Sequence, residues 1–184
     1  MSNYRLTDEQ RQLKEAARRF AEEKLRPIAL ETERQSAPMP RETLKLLAEH
    51  GYVGLDIPAE YGGLGLNIME CAIVLEELSS VWFSASTNAM TLLTGPLLAF
   101  GTEEQKQKYL PAIVSGDILT AFALTEPDAG SDASSIQSFA RKDGDDWVIN
   151  GRKIYITNGA RADLIVLFAR TDKTAPRGEG ISLF

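Results

Sequence analysis

Apolar residues recur at helical spacing through the first part of the chain and at strand spacing after it. Leu13, Ala16, Ala17, Phe20 and Leu25 fall on one stripe, opened by Thr7-Asp8-Glu9-Gln10, where Thr7 and Gln10 can cap each other's backbone. This predicts a first helix that Pro27 ends. A second helix fits residues 40–50, with Pro40 at its first position, Leu44 and Leu47 inward and Gly51 closing it. The glycine-rich stretch 52–66 reads as an irregular connector. A third helix starts at Asn67, with Glu70 three residues on and Cys71, Ala72, Leu75 and Leu78 on one face. A fourth, over 84–100, is apolar nearly all round and so predicted to be buried, with a kink at Pro96. Thr102 and Gln105 cap a fifth helix that stops at Gly116.

From residue 119 the period shortens to two. Strands are predicted over 119–125, 136–142, 146–150, 152–157, 164–170 and 180–184, with turns at Asp143-Gly144-Asp145 and Asn158-Gly159. A block of helices followed by a block of strands gives an α+β class. The expectation is an all-helical N-terminal domain, residues 1–118, and a truncated antiparallel β-barrel or sandwich domain, residues 119–184. The last apolar strand runs into the chain end with an unpaired edge, so the polypeptide is expected to be a fragment of a longer enzyme.

Composition narrows the classes. With 184 residues, 43% of them hydrophobic and 25% charged, a packed core is expected rather than disorder. A formal net charge of −6 argues against a general nucleic-acid binder. One cysteine, Cys71, and one histidine, His50, leave no disulfide, no zinc cluster and no Ser-His-Asp triad. The first residues, Met1-Ser2-Asn3-Tyr4-Arg5, carry no signal pattern, and no apolar run is long enough to span a bilayer. A cytoplasmic protein is expected.

Two stretches carry the candidate chemistry. In Phe122-Ala123-Leu124-Thr125-Glu126-Pro127-Asp128-Ala129-Gly130-Ser131-Asp132 a strand enters a turn whose glycine and open backbone N–H groups let a polar ligand approach. In Lys153-Ile154-Tyr155-Ile156-Thr157-Asn158-Gly159-Ala160 the isoleucines and the Tyr155/Thr157 pair alternate before an Asn-Gly turn. Hydroxyls at two strand ends, one beside an aromatic ring, suit a flat, heteroaromatic, phosphate-bearing cofactor. Taken alone, Thr125 and Thr157 are ordinary strand residues and Gly130-Ser131-Asp132 an ordinary turn. Gly62-Gly63-Leu64-Gly65 is no dinucleotide fingerprint, since no strand precedes it and the third glycine is missing.

Both stretches, together with Pro58-Ala59-Glu60-Tyr61-Gly62-Gly63-Leu64-Gly65 and Gly101-Thr102-Glu103-Glu104-Gln105-Lys106-Gln107-Lys108-Tyr109-Leu110-Pro111, resemble in the same order the motifs of the acyl-CoA dehydrogenase family. The resemblance implies FAD as cofactor. It implies that Phe122, Leu124, Thr125, Gly130 and Ser131 line one side of the flavin, with Thr125 at the pyrimidine edge. Tyr155, Ile156 and Thr157 would cover the other side, with Thr157 facing N5. Ser131 and the Gly130 amide would meet the pyrophosphate or the CoA portion of the substrate. Tyr155 stands where the family usually has tryptophan, and Asp128 where a small residue is common.

The resemblance further implies α,β-dehydrogenation of an acyl-CoA to the 2-enoyl-CoA in fatty acid metabolism. Electrons would pass to an electron-transfer flavoprotein, and the assembly would be a homotetramer. Residues 88–93 would help floor the acyl pocket. The family's catalytic glutamate belongs to a later helical domain, so no base is assigned among these residues and the isolated chain is expected to be inactive. Glu126, before a proline at a turn, is expected to be structural. Two other readings remain: a superfamily oxidase or flavin monooxygenase, and a non-catalytic flavin or acyl-CoA binding or assembly module.

Overall fold

In the computed structural model, which describes residues 5–90 and 92–184, Thr7 caps helix α1 (Asp8–Phe20). Its hydroxyl accepts from the Gln10 amide at 3.2 Å, and the Gln10 side chain accepts from the Thr7 amide at 3.1 Å. The expectations that fall on residues 1–4 and on Thr91 lie outside the described residues. The described chain divides into two compact units, the first closing at Ile118 and the second spanning Leu119–Phe184.

Pro27 does not end the first helix. The chain passes through a π-helical turn, Ala21–Leu25, in which the Arg26 amide donates to the Ala21 carbonyl, and continues as α2 (Arg26–Arg34). Proline has no N–H to give to Glu23, and one widened turn just before it absorbs that loss without stopping the helix. Helices α3 (Arg41–Glu49) and α4 (Ile68–Val81) follow, the latter capped reciprocally by Asn67 and Glu70. α4 packs on α1. Across that contact Glu77, 2% exposed, accepts from Arg18 at 2.8 and 3.2 Å and pairs with Lys14 at 3.2 Å. The Arg18 hydrogen bond, helped by Lys14, holds the Glu77 carboxyl below its ordinary pKa despite burial.

The connector 52–66 folds back on itself. Gly65 and Leu66 amides donate to the Ile57 and Leu55 carbonyls, and Tyr61 donates its hydroxyl to Glu103 at 3.0 Å. Gly63 is required by space: a Cβ there would lie 2.0 Å from the Ile57 carbonyl oxygen.

The predicted buried helix over 84–100 is two short helices, α5 (Phe83–Ala89) and α6 (Thr94–Phe100), separated at Met90, whose backbone is extended. Nor is it buried throughout. Leu92 and Phe100 are exposed, Phe100 by 76%, so apolar content marked surface as well as core. α7 (Glu103–Val114) starts at the Thr102/Gln105 box as expected and ends before Gly116, at φ 69°.

The second unit is a five-stranded sheet: β1 (Thr120–Ala123), β2 (Phe139–Asp143), β3 (Asp146–Asn150), β4 (Leu164–Arg170) and β5 (Ile181–Leu183). The order of a helical block before a β block is as expected. Within the β unit, where a truncated antiparallel barrel or sandwich is expected, the sheet is open and mixed, with parallel pairings to β4. β2 and β3 form an antiparallel hairpin over Gly144, and β5 lies antiparallel to β4. β1 runs parallel to β4, from Thr120 opposite Leu164 to Ala123 opposite Leu167, and Phe139 of β2 bridges Arg170. Parallel pairing needs a long connection, which the chain between β1 and β4 supplies. The predicted final strand therefore has β4 as its partner. Leu119, Ala121, Ala123, Ile136, Ala140 and Ala169 form the core of this unit. Among the described residues, no helix is long and apolar enough to cross a membrane.

Candidate functional site

Beyond β1 the backbone reverses over Glu126-Pro127-Asp128-Ala129. The Glu126 amide donates to the Ala129 carbonyl at 3.0 Å, and the Ala129 amide to the Glu126 carbonyl at 3.2 Å. Pro127 presets φ for this turn. Pro127 and Asp128 form its exposed tip, and Gly130 and Ser131 follow, also exposed. A Cβ on Gly130 would meet no atom within 4 Å, so packing does not demand the glycine there.

The Glu126 side chain points the other way, into the unit, with 5% exposure. One oxygen accepts from the Gln137 amide at 2.5 Å, and the other from the Ser138 amide at 2.9 Å and the Lys153 ammonium at 2.8 Å. Burial opposes the charge, yet the hydrogen bonds from Gln137, Lys153 and Ser138 bring the Glu126 pKa down to about 2. The expectation that Glu126 is structural acquires a mechanism: both oxygens are engaged by donors of the chain.

Lys153 also donates to the Leu124 carbonyl at 2.9 Å, and the Ile154 amide donates to the Thr125 carbonyl at 2.9 Å. The Asn158 side-chain amide reaches the Thr120 carbonyl at 3.2 Å. The two candidate stretches are thus held side by side, Thr125 against Ile154. The second is not the regular strand predicted over 152–157. Exposure alternates as expected, with Tyr155 and Thr157 outward and Ile154 and Ile156 half-buried, but Tyr155 sits at φ 55° and Asn158 at φ 62°. A left-handed residue breaks the pleat, and 152–157 forms no ladder; the Ile154 amide makes a single backbone hydrogen bond to Thr125. Holding a bulky ring in that region costs roughly 1–3 kcal/mol. The Tyr155 side chain is 90% exposed and gains no packing in return. The Asn158-Gly159 turn forms, with the Gly159 amide on the Ile156 carbonyl.

Phe122 lies half-buried on β1 with its ring 5.0 Å from that of Phe168, and Leu124 and Thr125 are half-buried beyond it. The loop after Ser131 is laced from downstream. Asp132 accepts from the hydroxyls of Ser134 and Ser135 and from the Arg177 guanidinium, which together bring its pKa to about 2. Arg170 donates to the carbonyls of Ile136 and Ser134 at 3.0 and 2.7 Å. Nothing local in the sequence marks Arg170 or Arg177, whose partners lie more than thirty residues upstream. Lys153 was visible as part of a motif, but without a role. Of residues 88–93, Asn88, Ala89 and Leu93 are buried in the helical unit and Leu92 is exposed.

The donor set fits a flat polar ligand with an anionic arm. Among the described residues, no hydrogen bond within the chain engages the hydroxyls of Thr125, Ser131, Tyr155 or Thr157. An exposed aromatic ring, these hydroxyls and the open Gly130-Ser131 backbone all belong to the Leu119–Phe184 unit.

Glu126 also predicts a pH dependence. Its folded pKa lies below the unfolded value near 4.5, so its contribution is complete above that value and is lost as pH falls toward 2. Urea unfolding of the β unit should show stability falling by about 3 kcal/mol across that interval. A Glu126→Gln variant should lack most of that slope.

Comparison with known proteins gives a consistent picture. The family model described as acyl-CoA dehydrogenase, N-terminal domain, matches residues 7–117, and the middle-domain model of the same family matches 121–184. The chain is 42% identical over 185 residues to a short-chain specific acyl-CoA dehydrogenase of Clostridium acetobutylicum, covering 99% of this chain and 48% of that one. A solved chain described under the electron transferring flavoprotein of Acidaminococcus fermentans superposes with a TM-score of 0.89 at 41% identity. That superposition covers 100% of this chain and 48% of the other. A glutaryl-CoA dehydrogenase of Mycobacterium smegmatis in complex with FADH2 superposes at 0.88 with 32% identity, over 97% of this chain and 45% of that one. The chain spans about half the length of the curated relatives it matches.

Proposed function

The chain belongs to the acyl-CoA dehydrogenase family, and from that premise we propose that its β unit carries one wall of the FAD site of an acyl-CoA-oxidising flavoenzyme. When bound, FAD would accept the β-hydrogen as a hydride, with its two electrons, in α,β-dehydrogenation of an acyl-CoA thioester, the α-hydrogen leaving as a proton. The Tyr155 ring offers an aromatic face to the ring system. The hydroxyls of Thr125 and Thr157 donate hydrogen bonds to its polar rim, where fixed donors favour developing negative charge. Phe122, Leu124 and Ile156 exclude water from that rim. The Gly130 amide and Ser131 receive phosphate, from the cofactor or from the CoA portion of the substrate.

The observation that carries this reading is the junction of the two stretches, with Ile154 bonded to Thr125 and Lys153 to Leu124 and Glu126. The solved relative in complex with FADH2 supports the cofactor. The Acidaminococcus neighbour supports an electron-transfer flavoprotein as the redox partner. Assembly as a homotetramer, a cytoplasmic location and a role in fatty acid metabolism belong to the same reading and rest on family resemblance. Glu126 is unsuited to be the base: a carboxylate with a pKa near 2 and donors on both oxygens does not take an α-proton. No base is assigned among these residues, and the 184-residue polypeptide is expected to turn over no acyl-CoA.

Titrating the chain with FAD, followed by quenching of flavin fluorescence, tests the reading. Saturable one-to-one binding is expected, and an unaltered flavin signal at micromolar concentrations of both would overturn it. Tyr155→Gly separates the ring's two effects. Relieving the left-handed strain should stabilise the apo chain by about 1 kcal/mol. Loss of the aromatic face should weaken FAD about tenfold.

A further inference from the structure

The stretch that bears Tyr155 and Thr157 is fixed to the first mainly at its start, around Lys153 and Ile154. Among the described residues it forms no ladder, its backbone hydrogen bond to the first stretch is Ile154 to Thr125, and the Asn158 side chain ties its far end to the Thr120 carbonyl. Tyr155 follows immediately, exposed and left-handed, so its placement depends on what fixes the two residues before it. The side chain there is Lys153, 9% exposed, with Nζ bonded both to the Leu124 carbonyl and to Glu126. Glu126 in turn binds the amides of Gln137 and Ser138. One carboxylate and one ammonium therefore join three stretches far apart in the sequence, 124–126, 137–138 and 153–154.

We propose that Glu126 and Lys153 are the positioning residues of this site. As a buried pair they set the register of 153–158 against 124–126, and so the place of the Tyr155 ring and the Thr157 hydroxyl. The assignment rests on the proposed FAD site for its purpose, though not for its geometry. The pair is buried, at 9% and 5% exposure, and its hydrogen bonds run to the chain itself, so it acts on the site through the backbone it holds. Burial makes the arrangement exacting: in a water-poor setting, misalignment of either charge is not repaired by solvent. The Lys45–Asp117 pair of the helical unit offers the contrast, half-exposed on both sides and screened by solvent.

Lys153→Met keeps most of the side-chain length and removes both hydrogen bonds. Amide exchange in the flavin-free 184-residue chain should speed up by about tenfold or more from Ile154 to Asn158 while β4 and β5 keep their protection. FAD dissociation constants should rise about tenfold or more, and the absorption band of the bound flavin should shift as its ring contacts loosen. Lys45→Met should alter neither readout. Unchanged exchange over 154–158, or wild-type FAD affinity in Lys153→Met, overturns the proposal. Equal loss of protection in β4 and β5 after Lys153→Met overturns it as well, since Lys153 would then hold the whole sheet rather than one stretch, whereas Glu126 also carries the Gln137 and Ser138 amides. If the unsubstituted chain binds no FAD, the functional reading fails, and exchange in the apo protein still decides the positioning role.

Discussion

Glu126→Ala is expected to destabilise the β unit by about 3–5 kcal/mol at neutral pH, near the whole stability of a small sheet. Three donors lose their acceptor together: the amides of Gln137 and Ser138 and the ammonium of Lys153. Lys153 is 9% exposed and keeps only the Leu124 carbonyl, so a charge is left in the interior without its counter-ion. The helical unit should be untouched, because Glu126 and its bonded partners all lie between Leu119 and Phe184. Urea unfolding resolved by amide exchange along the chain would show early loss of β1, β2 and β4 with α1 and α4 still protected. A loss under about 1 kcal/mol would mean that water reaches the stranded donors, contrary to the burial described.

The second large effect is at Gly151. A Cβ there would stand 2.1 Å from Ser138 Oγ, 2.5 Å from Ser138 Cβ and 2.6 Å from Ser138 Cα. A hydroxyl can rotate aside, but an α-carbon cannot move without its backbone. That backbone carries one of the amides bound to Glu126. Gly151→Ala should therefore cost about 3 kcal/mol and couple to the Glu126 cluster. Adding Ser138→Gly should recover part of the loss and no more, since the contact with Cα persists. Full recovery in the double variant, read from urea midpoints, would place the strain in the side chain alone.

How much of this could be read from the residues depends on how far each determinant reaches. The capping boxes at Thr7, Asn67 and Thr102 lie within four residues of sequence, and all three are formed. Strands 146–150 and 164–170 were legible from period two and the turn chemistry around them. Pro27 misled because its local rule says stop, while packing of α1 on α4 favours continuing through one widened turn. The stretch 84–100 misled because apolar content does not distinguish core from an uncovered surface, as Phe100 demonstrates. The parallel pairing of β1 with β4 left no local trace.

At the site, the two stretches were legible as motifs and their adjacency is real. The regular strand over 152–157 was not, because alternation of side chains survives a left-handed residue that a pattern cannot reveal. The partners of Glu126 lie 11, 12 and 27 residues away, beyond any window in which the acid could announce them.

The place of β4 has a consequence for the growing polypeptide. Synthesis is vectorial, and Asp163, whose carboxylate takes the Leu119 amide at the head of β1, emerges 44 residues after it. At about 5–20 residues per second, β1 waits for seconds with its alanine and phenylalanine edge unsheltered. Folding helpers that shield nascent chains have their clearest target in that interval, on a segment that the finished molecule conceals.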